Sequence, residues 1–202
     1  MEQRYRTTFI NSLGGFKSVC LIGTVDSEGQ TNLAIFNSLV HIGANPPYIG
    51  FIARPVVTER HTLENIVSTG KYTINQITPA FYLQAHQTSA RYNKNNSEFE
   101  ATGLLAEYLD GFEAPFVQEA HIKMAVEFTQ QIEIAINNTS LIIGQIMQVY
   151  CPYDCIEPDG YVDLEKAGTV SCVGLDGYYT AQRLSRLAYA KAGKAPVDIP
   201  LP

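Results

Sequence analysis

Residues 122–150, IKMAVEFTQQIEIAINNTSLIIGQIMQVY, decide the class of fold. Ile122, Met124, Val126 and Phe128 alternate with Lys123, Ala125, Glu127 and Thr129, the pattern of a strand with one buried face. Ile132, Ile134 and Ile136 resume the alternation after Gln130-Gln131, where a bulge is expected because the phase resets. Asn137-Asn138-Thr139 supplies a turn, and Leu141–Tyr150 runs back as the partner strand.

Working outward, Lys17–Val25 and Asn32–Val40 read as strands joined through the turn Asp26-Ser27-Glu28-Gly29. Asn45-Pro46-Pro47 cannot lie in a helix interior; Tyr48–Ala53 follows as a strand ended by Arg54-Pro55. Leu63, Ile66 and Val67 share one helical face, with Thr62 as the expected N-cap and Gly70 as the stop. Tyr72–Ile77 is a strand, and Thr78-Pro79 should start a second helix through Phe81–Gln87. Residues 88–120 read as irregular. Roughly six strands joined this tightly leave no room for parallel crossovers, so an antiparallel barrel with helical insertions is expected. The whole chain, 1–202, is expected to form one domain.

Composition narrows the function. Hydrophobic residues make up 46% and charged residues 17%, a globular balance. The net charge of −6 comes without any basic run, which argues against nucleic acid. No apolar stretch reaches the roughly 18 residues of a membrane span, and no apolar leader follows the N-terminus, so no membrane role and a cytoplasmic location are expected. Cys20, Cys151, Cys155 and Cys172 lack paired metal-site spacing and are expected as reduced thiols. The four histidines are scattered, so no metal site is expected. Glycine-rich nucleotide cradles, the nucleophile elbow and the zinc-protease motif are all missing.

The informative region is 31–75. Asn37 and Ser38 end a strand with side-chain donors, and Arg54 ends the next strand with a fixed positive charge. Thr58, Arg60 and Thr62 surround a helix N-terminus, where free N–H groups and the dipole favour a phosphate. The same residues are equally compatible with surface ion pairs for Arg54 and Arg60 and routine capping by Thr62.

Taken in order, Asp26–Gly29, Asn32-Leu33-Ala34, Asn37-Ser38, Asn45-Pro46-Pro47, Ala53-Arg54-Pro55 and His61–Ile66 resemble the flavin reductase-like family. The likeness continues through Tyr72–Asn75, Ser97–Glu100 with Gly103-Leu104, Ile142–Ile146, Asp159–Asp163 and Gly174–Tyr179. The chain departs at His61, where an acid is usual, at Ile35, where Pro is common, and at Asn37, where Ser is frequent.

The resemblance implies a mainly β fold: a six-stranded antiparallel split barrel of the FMN-binding type, homodimeric, with FMN near the subunit interface. It assigns the flavin's pyrimidine edge to Asn37, Ser38 and Leu39, and its ring plane to Phe36 and Phe51, with Ala53 beside them. The phosphate falls to Arg54, Thr58 and Thr62 with Arg60 as helper, while Ser89, Arg91 and Tyr92 close the site. Tyr178 and Tyr179 either cover the site or pack structurally. The implied activity is NAD(P)H-dependent reduction of flavin or another small acceptor, with NADH or NADPH as donor and no nameable catalytic side chain. The alternatives are an FMN electron carrier of the flavoredoxin kind, reduced by a partner protein, and a non-enzymatic flavin- or haem-binding module.

Overall fold

The computed structural model describes residues 1–55 and 61–200. In chain order the elements are α1 (Gln3–Leu13), β1 (Lys17–Ser18), β2 (Cys20–Val25), β3 (Thr31–Phe36), β4 (Val40–Ala44), β5 (Pro47–Ala53) and α2 (His61–Thr69). They continue with β6 (Lys71–Gln76), α3 (Tyr82–Gln87), α4 (Glu98–Thr102), β7 (Ala106–Glu107), β8 (Phe116–Val117), β9 (Lys123–Ile134) and β10 (Thr139–Tyr150). A 3-10 turn (Tyr153–Cys155), β11 (Val170–Val173) and β12 (Gly177–Thr180) complete the order. No helix among the described residues is long and apolar enough to cross a membrane.

The main sheet has seven antiparallel strands in the order β3-β2-β6-β9-β10-β5-β4. Its two edges, β3 and β4, are consecutive in the chain and separated only by Asn37, Ser38 and Leu39. Three linking residues reach roughly 13 Å at most, so the sheet has to curl until its edges nearly meet. They do not pair with each other. The result is the expected split barrel, with seven strands because the predicted segment Asn32–Val40 breaks at Asn37–Leu39 into β3 and β4.

Local chemistry explains the elements. Asp26 Oδ1 accepts the N–H groups of Glu28 and Gln30, both at 2.9 Å, and Gly29 takes φ +88°, which closes the β2–β3 hairpin. The Gln30 N–H is the largest cause, with those of Glu28 and Gly29 assisting, that holds the Asp26 carboxyl below its usual range. Strand β2 is buried on both faces, which is why it reads as an unbroken apolar run. Its Cys20 and Ile22 enter the barrel interior with Phe51, Tyr72, Ile74, Val126 and Ile142. Leu21 faces the opposite way, into a second cluster with Leu33, Phe81, Phe99 and Val117 beneath α3 and α4. The four cysteine thiols are free.

The β9–β10 hairpin matches the alternation, but the irregularity lies one residue earlier than Gln130: Gln130 and Phe128 oppose Ile143 and Gly144, leaving Thr129 as the extra residue. A second irregularity leaves Met147 extra on β10.

Three helical expectations need correction. Thr62 lies inside α2, which begins at His61, so it is not the N-cap. The buried face of α2 is Thr62, Asn65 and Ile66, while Val67 is exposed. The reason is polar: Asn65 Nδ2 donates to buried Thr24 Oγ1 at 3.1 Å, which turns the amide inward. Thr78-Pro79 forms a turn rather than a helix start, since α3 begins at Tyr82. Gly70 does stop α2, at φ +73°, with its N–H on the Ile66 carbonyl. Within the segment read as irregular, α4, β7 and β8 form, and α1, β11 and β12 are further elements that the sequence pattern does not announce.

Candidate functional site

A cleft of about 1190 Å³ opens along β3 and the barrel seam. Side chains alternate across a strand, so Asn32, Ala34 and Phe36 of β3 share one face, and all three line the cleft. At one end Asn32 Nδ2 donates to Thr62 Oγ1 at 2.9 Å, fixing the first turn of α2 to the strand. At the other end Asn37 Nδ2 donates to the Gly174 carbonyl at 2.8 Å, fixing the β11–β12 turn to the same strand.

Of the residues assigned from sequence, Phe36, Asn37, Ser38, Phe51, Ala53, Arg54, Thr62, Ser89, Arg91 and Tyr92 all line this cleft. Thr58 and Arg60 lie outside the described residues. Leu39 does not line the cleft; it packs against the barrel-interior cluster. Phe51 is 1% exposed and wedged edge-on between Phe36 and Tyr72, at ring separations of 4.8 and 5.9 Å, so it forms floor rather than a free stacking plane. Tyr178 lines the cleft, whereas Tyr179 packs edge-on against Phe16.

Of the side-chain donors expected at this end, the Ser38 hydroxyl and one N–H of the Asn37 amide are committed within the protein. The Asn37 amide holds Gly174, and the Ser38 hydroxyl donates to the Ile52 carbonyl and accepts the Ile52 N–H. Further donors lie on the backbone. Among the described residues, no acceptor takes the N–H of Asn37, Ser38 or Leu39.

The charged lining is mostly cationic. Arg54 and Arg91 are exposed to the cleft and form no ion pair among the described residues. Lys94 sits 3.9 Å from Asp26, which anchors the 88–96 loop over the Asn32 end. Two guanidiniums without an ion pair among the described residues, in one cleft of a chain with net charge −6, mark a place for an anion. The acid at this end, Glu98, is buried; its Oε2 accepts the Leu33 N–H at 2.9 Å, and burial pushes its carboxyl up despite that bond.

Asn11, Lys17, Asn32, His61, His86, Lys94, Glu98, Cys172 and Asp176 also line the cleft, none of them assigned a binding role from sequence. The two-residue period of β3 could have found Asn32 from Phe36. His61 adjoins Thr62 at the start of α2, but nothing local marks the rest, because α1, α3, α4 and the β11–β12 turn meet only in three dimensions.

A curled antiparallel sheet with a cleft along its open seam defines a split-barrel protein. The chain belongs to the flavin reductase like domain family, whose family model matches residues 13–165. It is similar to a split-barrel-domain protein of known structure from Shewanella frigidimarina NCIMB 400, with 53% identity over 94% of both chains and a TM-score of 0.91. Its fold is also that of nitrilotriacetate monooxygenase component B from Bacillus cereus, at 20% identity over 93% of this chain and 95% of the other, with a TM-score of 0.82. Flavoredoxin of Desulfovibrio vulgaris (Miyazaki F) shares the fold at 24% identity over 90% of this chain and 93% of the other, with a TM-score of 0.73.

Proposed function

We propose that the cleft binds FMN and that the chain is an oxidoreductase using it to carry electrons from NADH or NADPH to a free flavin or another small acceptor. The observation that carries this reading is a single cleft that holds, among the described residues, two guanidiniums without an ion pair and a run of backbone N–H groups without an acceptor. Arg54 and Arg91, with the Thr62 hydroxyl, suit the phosphate, and Thr58 and Arg60 belong to the same assignment. The N–H groups of Asn37–Leu39 suit the pyrimidine edge, where negative charge gathers on reduction. Phe36 and Ala34 give the middle of the cleft an apolar wall that excludes water from the ring. FMN, when bound, supplies the hydride acceptor; the protein's part is position and electrostatics.

The same proposal includes a homodimer. Helix α1 buries none of its residues, and Tyr5, Phe9, Ile10, Leu13 and the following Phe16 are all exposed. An 11-residue helix without a packed face is marginal in water, and a second copy of the chain would cover it. Light scattering at the gel-filtration peak tests this, and a monomer would refute it.

Purified protein that is yellow and bleaches anaerobically on adding NADH or NADPH supports the main reading. A yellow protein indifferent to both nicotinamides supports an electron carrier instead. Protein that stays colourless after incubation with FMN overturns both.

A further inference from the structure

Strand β3 spaces two different ends of one cleft. From Asn32 to Asn37 the backbone runs roughly 16 Å, at about 3.3 Å per residue. The Asn32 end holds Thr62, bonded to Asn32, and Lys94, beside Asp26, while Arg54 and Arg91 line the same cleft. The Asn37 end holds a separate group: Asn11, Lys17, His86, Cys172, Leu175, Asp176 and Tyr178. The flavin assignment above uses none of these side chains.

Several observations define that second group. Lys17 belongs to β1, which pairs with β11 so that Lys17 stands opposite Cys172, next to the turn that Asn37 anchors. Its Nζ donates to the Asn11 carbonyl at 3.3 Å and forms no ion pair among the described residues. Two of the three ammonium donors therefore stay available.

Tyr178 projects from β12, and its hydroxyl lies 2.9 Å from His86 Nδ1 of α3. Burial, with Cys172 and Asp176 nearby, pushes the Tyr178 phenol up to about 12, so it keeps its proton. With either imidazole tautomer, the pair keeps one proton outside this bond. If Tyr178 donates to Nδ1, the imidazole proton sits on Nε2; if Nδ1–H donates to Tyr178, the phenol proton is free. The tilted packing of Tyr82 on Tyr178, at 5.5 Å, fixes the ring. Val19, Leu175 and the Tyr178 ring supply apolar area beside these donors.

We propose that the Asn37 end of the cleft binds the carboxylate of a second, small aromatic acid, between Lys17 and the His86–Tyr178 pair. One ammonium and one neutral donor match a single carboxylate, and the apolar neighbours match an aromatic ring. Asp176 lines the cleft here and disfavours a dianion, which distinguishes this position from the phosphate assignment. The inference rests on the flavin reading, which places the cofactor's ring beside this position and makes the acid a reaction partner. The carboxylate binding itself can be measured without the cofactor.

The test uses benzoate and its uncharged isostere benzamide, titrated by ligand-observed NMR against the full chain with and without FMN. Benzoate is expected to bind at least tenfold more tightly than benzamide. Lys17→Gln should erase that preference, Lys17→Arg should keep most of it, and Tyr178→Phe should reduce it. FMN affinity should be the same in Lys17→Gln as in the parent. Equal binding of the two probes overturns the proposal. So does a Lys17→Gln protein that still prefers benzoate, or one that loses FMN, since Lys17 would then serve the cofactor. Should Lys17→Gln fail to fold, the parent's discrimination and the Tyr178→Phe variant decide. Failure of FMN to bind would overturn the flavin reading, and benzoate binding would still be read separately.

Discussion

Ser38 and Ile52 close the barrel seam with two hydrogen bonds: the serine hydroxyl donates to the Ile52 carbonyl at 3.2 Å and accepts the Ile52 N–H at 3.0 Å. A side chain thus takes the place of a neighbouring strand where β3 and β4 part. Ser38→Ala leaves both backbone groups of Ile52 without their partner. The expected cost is about 1–2 kcal/mol, read from urea unfolding, and Ser38→Thr should recover most of it. An alanine variant as stable as the parent would show that the seam does not depend on this contact.

Arg54→Ala separates binding from folding. Arg54 is exposed and has no ion-pair partner among the described residues, so the thermal midpoint of the ligand-free chain should not change. FMN affinity should fall roughly tenfold or more, about 1.4 kcal/mol, whereas riboflavin, which lacks the phosphate, should bind unchanged. Unaltered FMN affinity would remove the phosphate assignment.

A double-mutant cycle tests the packing where β10 crosses the barrel interior. A Cβ on Gly144 would lie 2.5 Å from both the Tyr72 hydroxyl and Val126 Cγ1, and 2.8 Å from the Glu127 carbonyl oxygen. Gly144→Ala should therefore cost about 1–3 kcal/mol. The Tyr72 hydroxyl is itself buried without a hydrogen-bond partner among the described residues, so Tyr72→Phe should be neutral or stabilising. Combining the two should recover part of the Gly144→Ala loss, because the hydroxyl is one of the obstructing atoms. Strict additivity would count against this contact.

Glu98 predicts a pH dependence of known sign. Burial, opposed by the Leu33 N–H and by His61, raises its carboxyl above the ordinary 4.5. A native state that binds this proton more tightly than the unfolded chain loses stability as pH rises through 4.5 and on past the raised value. Glu98→Gln keeps an acceptor for the Leu33 N–H and removes the titration. Relative to Glu98→Gln, the parent should be most stable at acid pH and lose ground toward neutrality in denaturant titrations at several pH values. A constant difference would mean that Glu98 titrates as an ordinary carboxyl.

The barrel was legible because its strands carry their own signals. Val126 and Phe128 against Glu127 and Thr129 report one buried face, and β2 reports two by reading as an apolar run. Helix α1 gave no such signal, since none of its residues enters the core. The inward turn of Asn65 was hidden as well, because Thr24, its partner, is far away in sequence. Arg54 and Thr62 could be placed near one another from short-range order alone. The commitments of Asn37 to Gly174 and Ser38 to Ile52 could not, as each depends on a strand or turn that the local sequence does not mention.

The register that sets Lys17 against Cys172 joins β1 to β11, and β11 in turn carries β12. One wall of the cleft is thus assembled from an early element and two late ones, and Val170 and Cys172 of β11 are buried in the same cluster as Leu21 and Leu33 of the sheet. Trimming from β11 onward should therefore both open the trough and uncover Leu21 and Leu33, so that the last strands to leave the ribosome finish the pocket and seal the barrel in one step.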